Sequence, residues 1–384
     1  MAGTSIYSVY RRTARAAAKQ QVVKKTSNID IKRAQKDFAY FCDVVGGKPP
    51  AEHHMEWHKY LCTGDDSVCL RGIAGPNIDI LAPRGSAKST VLGLYTAWAI
   101  GIHALHKLPL KILYISYTVD VARPKSAAIK RIIEESKNYK EIFPTVKIAK
   151  GINSNEYWSI DWKFAGIKST GEEEFSVCCA GLKGAVTSKR SHLCIIDDAI
   201  KSSDDIKNKD IRQAMEDNWN AVIVPTMFEG ARAICLGTRF RHDDIHARAF
   251  LPSNGWTQII QSAITVDDQG EEISYWPDMW SLKYLEERRR VAPVAFSFQY
   301  QNQIVQTSEL SLSPDLIVKG TIATDFDALG VGVDLSAGIR EQNDYTVFVM
   351  GGRVKDKIHV IDCKRVRVMG NLEKLELLME MMEE

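Results

Sequence analysis

Ile80-Leu81-Ala82-Pro83-Arg84-Gly85-Ser86-Ala87-Lys88-Ser89-Thr90 joins a short apolar run to Ser89–Ala104, a stretch with helical spacing. A glycine, a lysine and two hydroxyls at a strand-to-helix turn are the parts of a phosphate-binding loop. Backbone N–H groups from Gly85 through Ser86 and Ala87 to Lys88 are expected to point into the loop. Lys88 is expected to reach the β- and γ-phosphates of a nucleotide, and Ser89 to ligate Mg2+ at the positive end of the helix, with Thr90 the weaker candidate for that ligand. The run departs from the usual GxxxxGK[ST] at Ala82 and at Ala87. The second departure matters more, because a side chain there implies either strain of about 1 kcal/mol or a different loop path. The plain alternative is a lysine capping an ordinary turn.

Outward from the loop, Ile78–Leu81, Lys111–Ser116, Leu193–Ile196 and Ala233–Leu236 read as buried strands, with Ser89–Ala104 and Ala122–Ser136 as helices between them. That alternation predicts an α/β fold, a mainly parallel sheet with helices on both faces.

A phosphate loop works with a carboxylate on a neighbouring strand, and Leu193-Cys194-Ile195-Ile196-Asp197-Asp198 is an apolar strand ending in two acids. Asp197 is expected to hold Mg2+, directly or through water. Asp198 is expected to orient or deprotonate the water that attacks the γ-phosphate, with Asp204 and Asp205 as alternative bases. The next strand ends in Cys235-Leu236-Gly237-Thr238-Arg239-Phe240, followed by Arg241-His242-Asp243-Asp244-Ile245. Thr238 and Arg239 are candidates for sensing the γ-phosphate and passing its loss to a moving element. The alternative for Arg239 is an ion pair with Asp243 or Asp244 in a surface turn.

The 384 residues are enough for two domains, and 45% apolar with 26% charged residues is the balance of a globular protein. No apolar run is long enough to span a bilayer and no secretion signal is evident, so the expected location is the cytoplasm. Eight cysteines without a CxxC pair read as reduced thiols. The formal charge of +2 supplies no global field for a polyanion, which leaves local basic patches to make any nucleic-acid contact. Residues 1–29 carry six basic side chains and no acid, and read as a tail. Residues 30–305 are expected to form the loop-bearing domain with helical extensions, among them Ser281–Val291, and 306–329 a linker. Residues 330–384 open a new sheet with strands at Gly330–Leu335, Tyr345–Met350 and Ile358–Ile361, then a helix from Asn371.

Taken in order, five elements resemble the large terminase subunit of tailed phages. They are APRGSAKST (82–90), LCIIDDAIK (193–201), LGTRFRHDD (236–244), SYWPDMWSLKYLEERRR (274–290) followed by AFSFQYQNQ (295–303), and VGVDLSAG (331–338) with NDYTV (343–347). The resemblance implies a P-loop ATPase that pumps double-stranded DNA into a procapsid, with ATP and Mg2+ at the loop and Arg84 contacting the nucleotide. It implies an alanine tolerated before the loop lysine, a portal protein and a small terminase subunit as partners, and a homo-oligomeric ring. Arg123 is a candidate for an arginine reaching a neighbouring subunit, the alternative being an ordinary exposed arginine. The fifth element implies the start of an RNase H-like nuclease that uses Mg2+ or Mn2+, in which Asp334 is the one clear metal ligand, with Asp344 and Asp362 following. The family's other metal-binding acids would fall beyond residue 384, so ATP hydrolysis without DNA cleavage is expected. A helicase or other translocase, and an inactive nucleotide-binding module, are the competing readings.

Two further groups read mainly as structural. His54, His58 and Cys62 share a helix face, but zinc needs a fourth ligand. His54 or Trp57 could instead approach an adenine. Arg288, Arg289 and Arg290 fit a solvated helix end, the alternative being contact with DNA phosphates.

Overall fold

The computed structural model describes residues 29–62, 76–169, 171, 174–184, 189–303, 320, 323, 325–335, 345–355, 357–366 and 370–383. The basic tail up to residue 28, Cys69, most of the expected linker and Asp344 lie outside the described residues. The chain divides into two compact units, Met1–Thr307 and Ser308–Glu384.

In the first unit, β1 (Asn77–Leu81), β2 (Ile112–Ser116), β3 (Ile148–Asn153), β4 (Tyr157–Ile160), β5 (Val177–Gly181), β6 (Ser191–Asp197), β7 (Met227–Gly237) and β8 (Trp256–Ile260) form one sheet, ordered β3-β4-β5-β2-β6-β7-β1-β8. The strands from β5 across to β8 are parallel, while β4 runs antiparallel to both β5 and β3. A separate hairpin pairs β9 (Ile264–Val266) with β10 (Glu272–Ser274).

The central strands are apolar without a break because both faces are covered. On β2, Ile112 and Tyr114 enter one core while Leu113 and Ile115 enter the other, and on β6 Leu193 and Ile195 oppose Cys194 and Ile196 in the same way. The first core takes in α1 (Ile31–Lys36), α2 (Phe38–Gly46), α3 (Glu52–Leu61), α4 (Lys88–Leu105), α5 (Val119–Glu135), α6 (Lys137–Ile142) and α7 (Trp162–Ala165). The second receives Met215 of α8 (Lys209–Asn218), Ile245 of α9 (Ile245–Arg248) and the Trp219–Phe250–Trp256 rings. Helix α4 is apolar on all sides and buried along nearly its whole length, as a helix enclosed by others must be. Each of its large side chains, such as Leu92 and Trp98, contributes about 1.5–3 kcal/mol by leaving water. Two short helices close the unit, α10 (Leu282–Val291) and α11 (Pro293–Gln299).

Because the central strands are parallel, Leu81, Ser116, Asp197 and Gly237 all end at one edge of the sheet, where open α/β sheets place their sites. One expectation needs correcting. The acidic strand β6 is not the neighbour of β1, since β7 lies between them and pairs with both. Order along the chain does not report order across a sheet, and the later strand β7 inserts where its apolar run is covered on both sides.

In the second unit, β11 (Ala328–Asp334), β12 (Thr346–Val354) and β13 (Lys357–Val366) form an antiparallel meander, followed by α12 (Asn371–Glu383) against β11.

Candidate nucleotide-binding site

The loop after β1 turns at Gly85, which has φ of +82°, and enters α4 through Ala87, which has φ of 61° and ψ of 24°. Ala87 therefore adopts the left-handed conformation outright rather than a different path, at a cost of about 1–2 kcal/mol for an L-residue. Its carbonyl accepts from Val91 N at 3.0 Å, so the N–H groups of Lys88, Ser89 and Thr90 are the unpaired donors at the positive end of an 18-residue helix.

Lys88 is buried, and its Nζ donates to Ala82 O at 3.1 Å, Pro83 O at 3.0 Å and Thr238 Oγ1 at 2.9 Å. Burial pulls its pKa down, and the carboxylates of Asp198 and Asp197 pull it back up. Ser89 Oγ donates to Asp197 Oδ1 at 2.9 Å, across the intervening strand. Asp197 is wholly buried, and its other oxygen accepts from Tyr114 OH at 2.7 Å and lies 3.0 Å from Lys125 Nζ. Burial raises the Asp197 carboxyl above its ordinary value, with Lys125 opposing the rise. Ser116 Oγ and Lys125 Nζ both donate to Asp197 O, at 2.7 and 3.0 Å.

Asp198 differs from its neighbour. It has φ of 53°, its side chain is 39% exposed, and it faces a cavity of about 370 Å3 that Arg84, Lys88, Lys125, Lys201 and Thr238 also line. Four cations around one exposed acid is a lining suited to a polyphosphate. Two hard oxygens 2.9 Å apart, the Ser89 hydroxyl and the Asp197 carboxylate, fit Mg2+ beside it. Asp204 instead pairs with Lys207 and Asp205 accepts from Ser202, and neither lines the cavity.

Thr238 closes the ring from the end of β7, accepting from Lys88 and donating to Ala82 O at 3.2 Å. Arg239 points elsewhere. It is buried against Asp244 at 3.1 Å, inside the protein rather than in a surface turn. Arg84 is exposed at the cavity, with its Nη1 on Gln299 Oε1 at 3.1 Å. Arg123 pairs on the surface of α5 with Asp120 and Glu156, both at 2.6 Å.

No protein-family model and no curated protein matches the chain. Solved structures do. The chain is similar to phage large terminases. One, from a thermophilic bacteriophage in complex with ATP-γ-S, is 11% identical, with 88% of this chain and 74% of that chain covered and a TM-score of 0.41. The HK97 bacteriophage large terminase is 16% identical over 87% of this chain and 67% of that one, with a TM-score of 0.43. The ATPase domain of the Thermus phage P74-26 large terminase is 15% identical over 67% and 99%, with a TM-score of 0.33.

Sequence reading missed Lys125 and Tyr114, whose partner Asp197 lies 72 and 83 residues away. It also missed what His54 does: Nδ1 accepts from Ala51 N at 3.1 Å, and Nε2 donates to Ser86 O at 2.9 Å. Trp57 is fully buried and does not line the cavity. His58 packs on Phe38 at 4.6 Å, and among the described residues the only trio of metal-type donors within 4.8 Å is the buried Asp79, Cys235 and His246. Arg289 and Arg290 pair with Glu272 and Glu287 on the surface, and Arg288 packs over Tyr284.

In the second unit Asp334 is exposed at the end of β11. Through Val347 it is in register with Arg365, whereas Asp362 is in register through Met350 with Val331. Val331 and Asp334 are an odd number of positions apart, with Gly332 and Val333 between them, so the two acids lie on opposite faces of the meander and cannot share an ion.

Proposed function

We propose that this chain is the ATP-hydrolysing motor subunit of a phage terminase. It translocates double-stranded DNA into a procapsid as part of a homo-oligomeric ring, with a portal protein and a small terminase subunit, in the host cytoplasm. The observation that carries the hydrolytic part is the 2.9 Å bond from Ser89 to Asp197, which joins the loop to the acidic strand beside the cavity faced by Lys88 and Asp198. The five sequence elements quoted above support the terminase part.

In this reading the helix N-terminus and Lys88 hold the β- and γ-phosphates, while Arg84, Lys125 and Lys201 offset their remaining charge. Ser89 and Asp197 would hold Mg2+, which when bound would neutralise charge on the phosphate oxygens. Asp198, partly exposed in the cavity, accepts the proton of the water attacking the γ-phosphorus as the bond to the bridging oxygen breaks and ADP leaves. Thr238 links the loop lysine to the end of β7, from which Phe240 to Asp244 continue, giving the loss of the γ-phosphate a route into the sheet.

The test is ATP turnover by the purified chain against Lys88→Ala. Hydrolysis abolished by the substitution is the expected result. Equal background rates in both proteins would leave a non-catalytic binding module, and separation of duplex strands would favour a helicase.

A further inference from the structure

The carbonyls of Gly85 and Ser86 each meet the ring N–H of a residue that lies far away in the chain and does not line the cavity. Trp280 Nε1 donates to Gly85 O at 3.2 Å, and His54 Nε2 donates to Ser86 O at 2.9 Å. The two donors come from separate segments, His54 from α3 and Trp280 from the turn before α10. Both are held in place. Ala51 N–H donates to His54 Nδ1, which leaves the neutral ring's proton on Nε2, and the ring lies 3.8 Å from His53 and 5.2 Å from Trp276 between centroids. Trp280 stacks on Tyr284 at 5.3 Å, and its own carbonyl accepts from Ser274 Oγ at 2.6 Å. The same edge of its ring abuts the loop: a Cβ on Gly85 would stand 2.7 Å from Trp280 Cζ2.

A trans peptide carries its N–H opposite its C=O, and the chain's described peptides are all trans. A hydrogen bond that fixes Ser86 O therefore also fixes the Ala87 N–H on the other side, at a residue that lines the cavity. The next backbone is the left-handed Ala87, a conformation that persists only when its surroundings enforce it.

We propose that His54 and Trp280 are positioning residues that clamp the loop from outside the cavity: His54 fixes the peptide that carries the Ala87 N–H, and Trp280 fixes the Gly85–Ser86 peptide, whose N–H does not face a ligand as expected but closes a turn on Pro83 O at 3.2 Å. The proposal rests on the nucleotide reading for its effect on turnover, but not for its effect on the loop itself.

The test uses the full chain with His54→Phe and Trp280→Phe, which keep an aromatic ring and remove the N–H, and His54→Gln, which keeps a donor near the Nε2 position. Hydrogen–deuterium exchange over residues 82–90 is expected to speed up roughly tenfold in both Phe variants and to return toward the parent rate in His54→Gln. The KM for ATP is expected to rise about five- to tenfold in the Phe variants, with kcat changed less than about twofold, the pattern of an interaction equal in ground and transition states. Exchange at the parent rate in both Phe variants would overturn the clamp whether or not the chain turns over ATP. So would a fall in kcat at constant KM, or a failure of Gln to restore either readout. A parent protein with no turnover sensitive to Lys88→Ala would instead remove the nucleotide reading, and the exchange result would still decide the clamp.

Discussion

Lys88 Nζ donates a 2.9 Å hydrogen bond to Thr238 Oγ1, linking the start of α4 to the end of β7 across 150 residues of chain. Both groups are buried, so the bond is shielded from water, and it ends on the strand that separates the loop strand from the acidic one. Thr238→Ala is expected to lower kcat about tenfold with KM little changed, and Thr238→Ser to recover most of the rate. Steady-state ATPase kinetics measure both, and an unaltered kcat in the alanine variant removes Thr238 from the coupling.

Lys125 is the nearest cation to a fully buried carboxylate, 3.0 Å from Asp197 Oδ2 and 4.0 Å from Asp198 Oδ2. Removing one partner of such a pair strands the other charge. Lys125→Ala is expected to destabilise the first unit by about 2–3 kcal/mol and to slow ATP turnover at least tenfold, with Lys125→Arg in between. Urea unfolding and turnover of the three proteins measure it, and a Lys125→Ala protein as stable and active as the parent contradicts the assignment.

Ala87 keeps a methyl group in a left-handed backbone. Ala87→Gly is expected to gain about 1 kcal/mol, a rise in melting temperature of about 2–4 °C for a unit of this size. A lower melting temperature would mean that the methyl group's contacts outweigh the strain.

Burial lowers the pKa of His53 to about 3 and of His58 and His103 to about 4, from an ordinary 6.5. The unfolded chain binds more protons than the folded one below pH 6.5, so this contribution to stability is present above 6.5 and is lost as pH falls toward the folded values. His246 works the other way. Burial lowers its pKa, the Asp79 carboxylate more than reverses this, and the resulting contribution is full below 6.5 and lost as pH rises through the elevated folded value. His54 is lowered by burial as well, and with four lowered histidines against one raised, the melting temperature is expected to drop between pH 7 and pH 5, and less steeply in His103→Ala. Calorimetry at a series of pH values gives the answer, and a flat profile over that window would count against it.

For the second unit, the opposite faces of Asp334 and Asp362 predict that the purified chain leaves supercoiled plasmid intact in Mg2+ or Mn2+. Metal-dependent nicking that disappears in Asp334→Ala would refute this.

The turn that joins β1 to α4, the acidic strand end and the strand-and-helix alternation were legible in the sequence because each is local. A parallel strand covered on both faces must be apolar throughout, and a loop that opens a helix with Gly, Lys and Ser has few other uses. Only the tertiary structure decided that β7 separates β1 from β6, that Arg239 is locked to Asp244, and that Lys125, Tyr114, His54 and Trp280 surround the loop and its acids. Apart from the local Arg239–Asp244 pair, which the sequence offered as one alternative, these contacts join residues 32 to 195 positions apart, and their geometry follows from sheet order and helix packing, which hydrophobic periodicity along one segment does not encode.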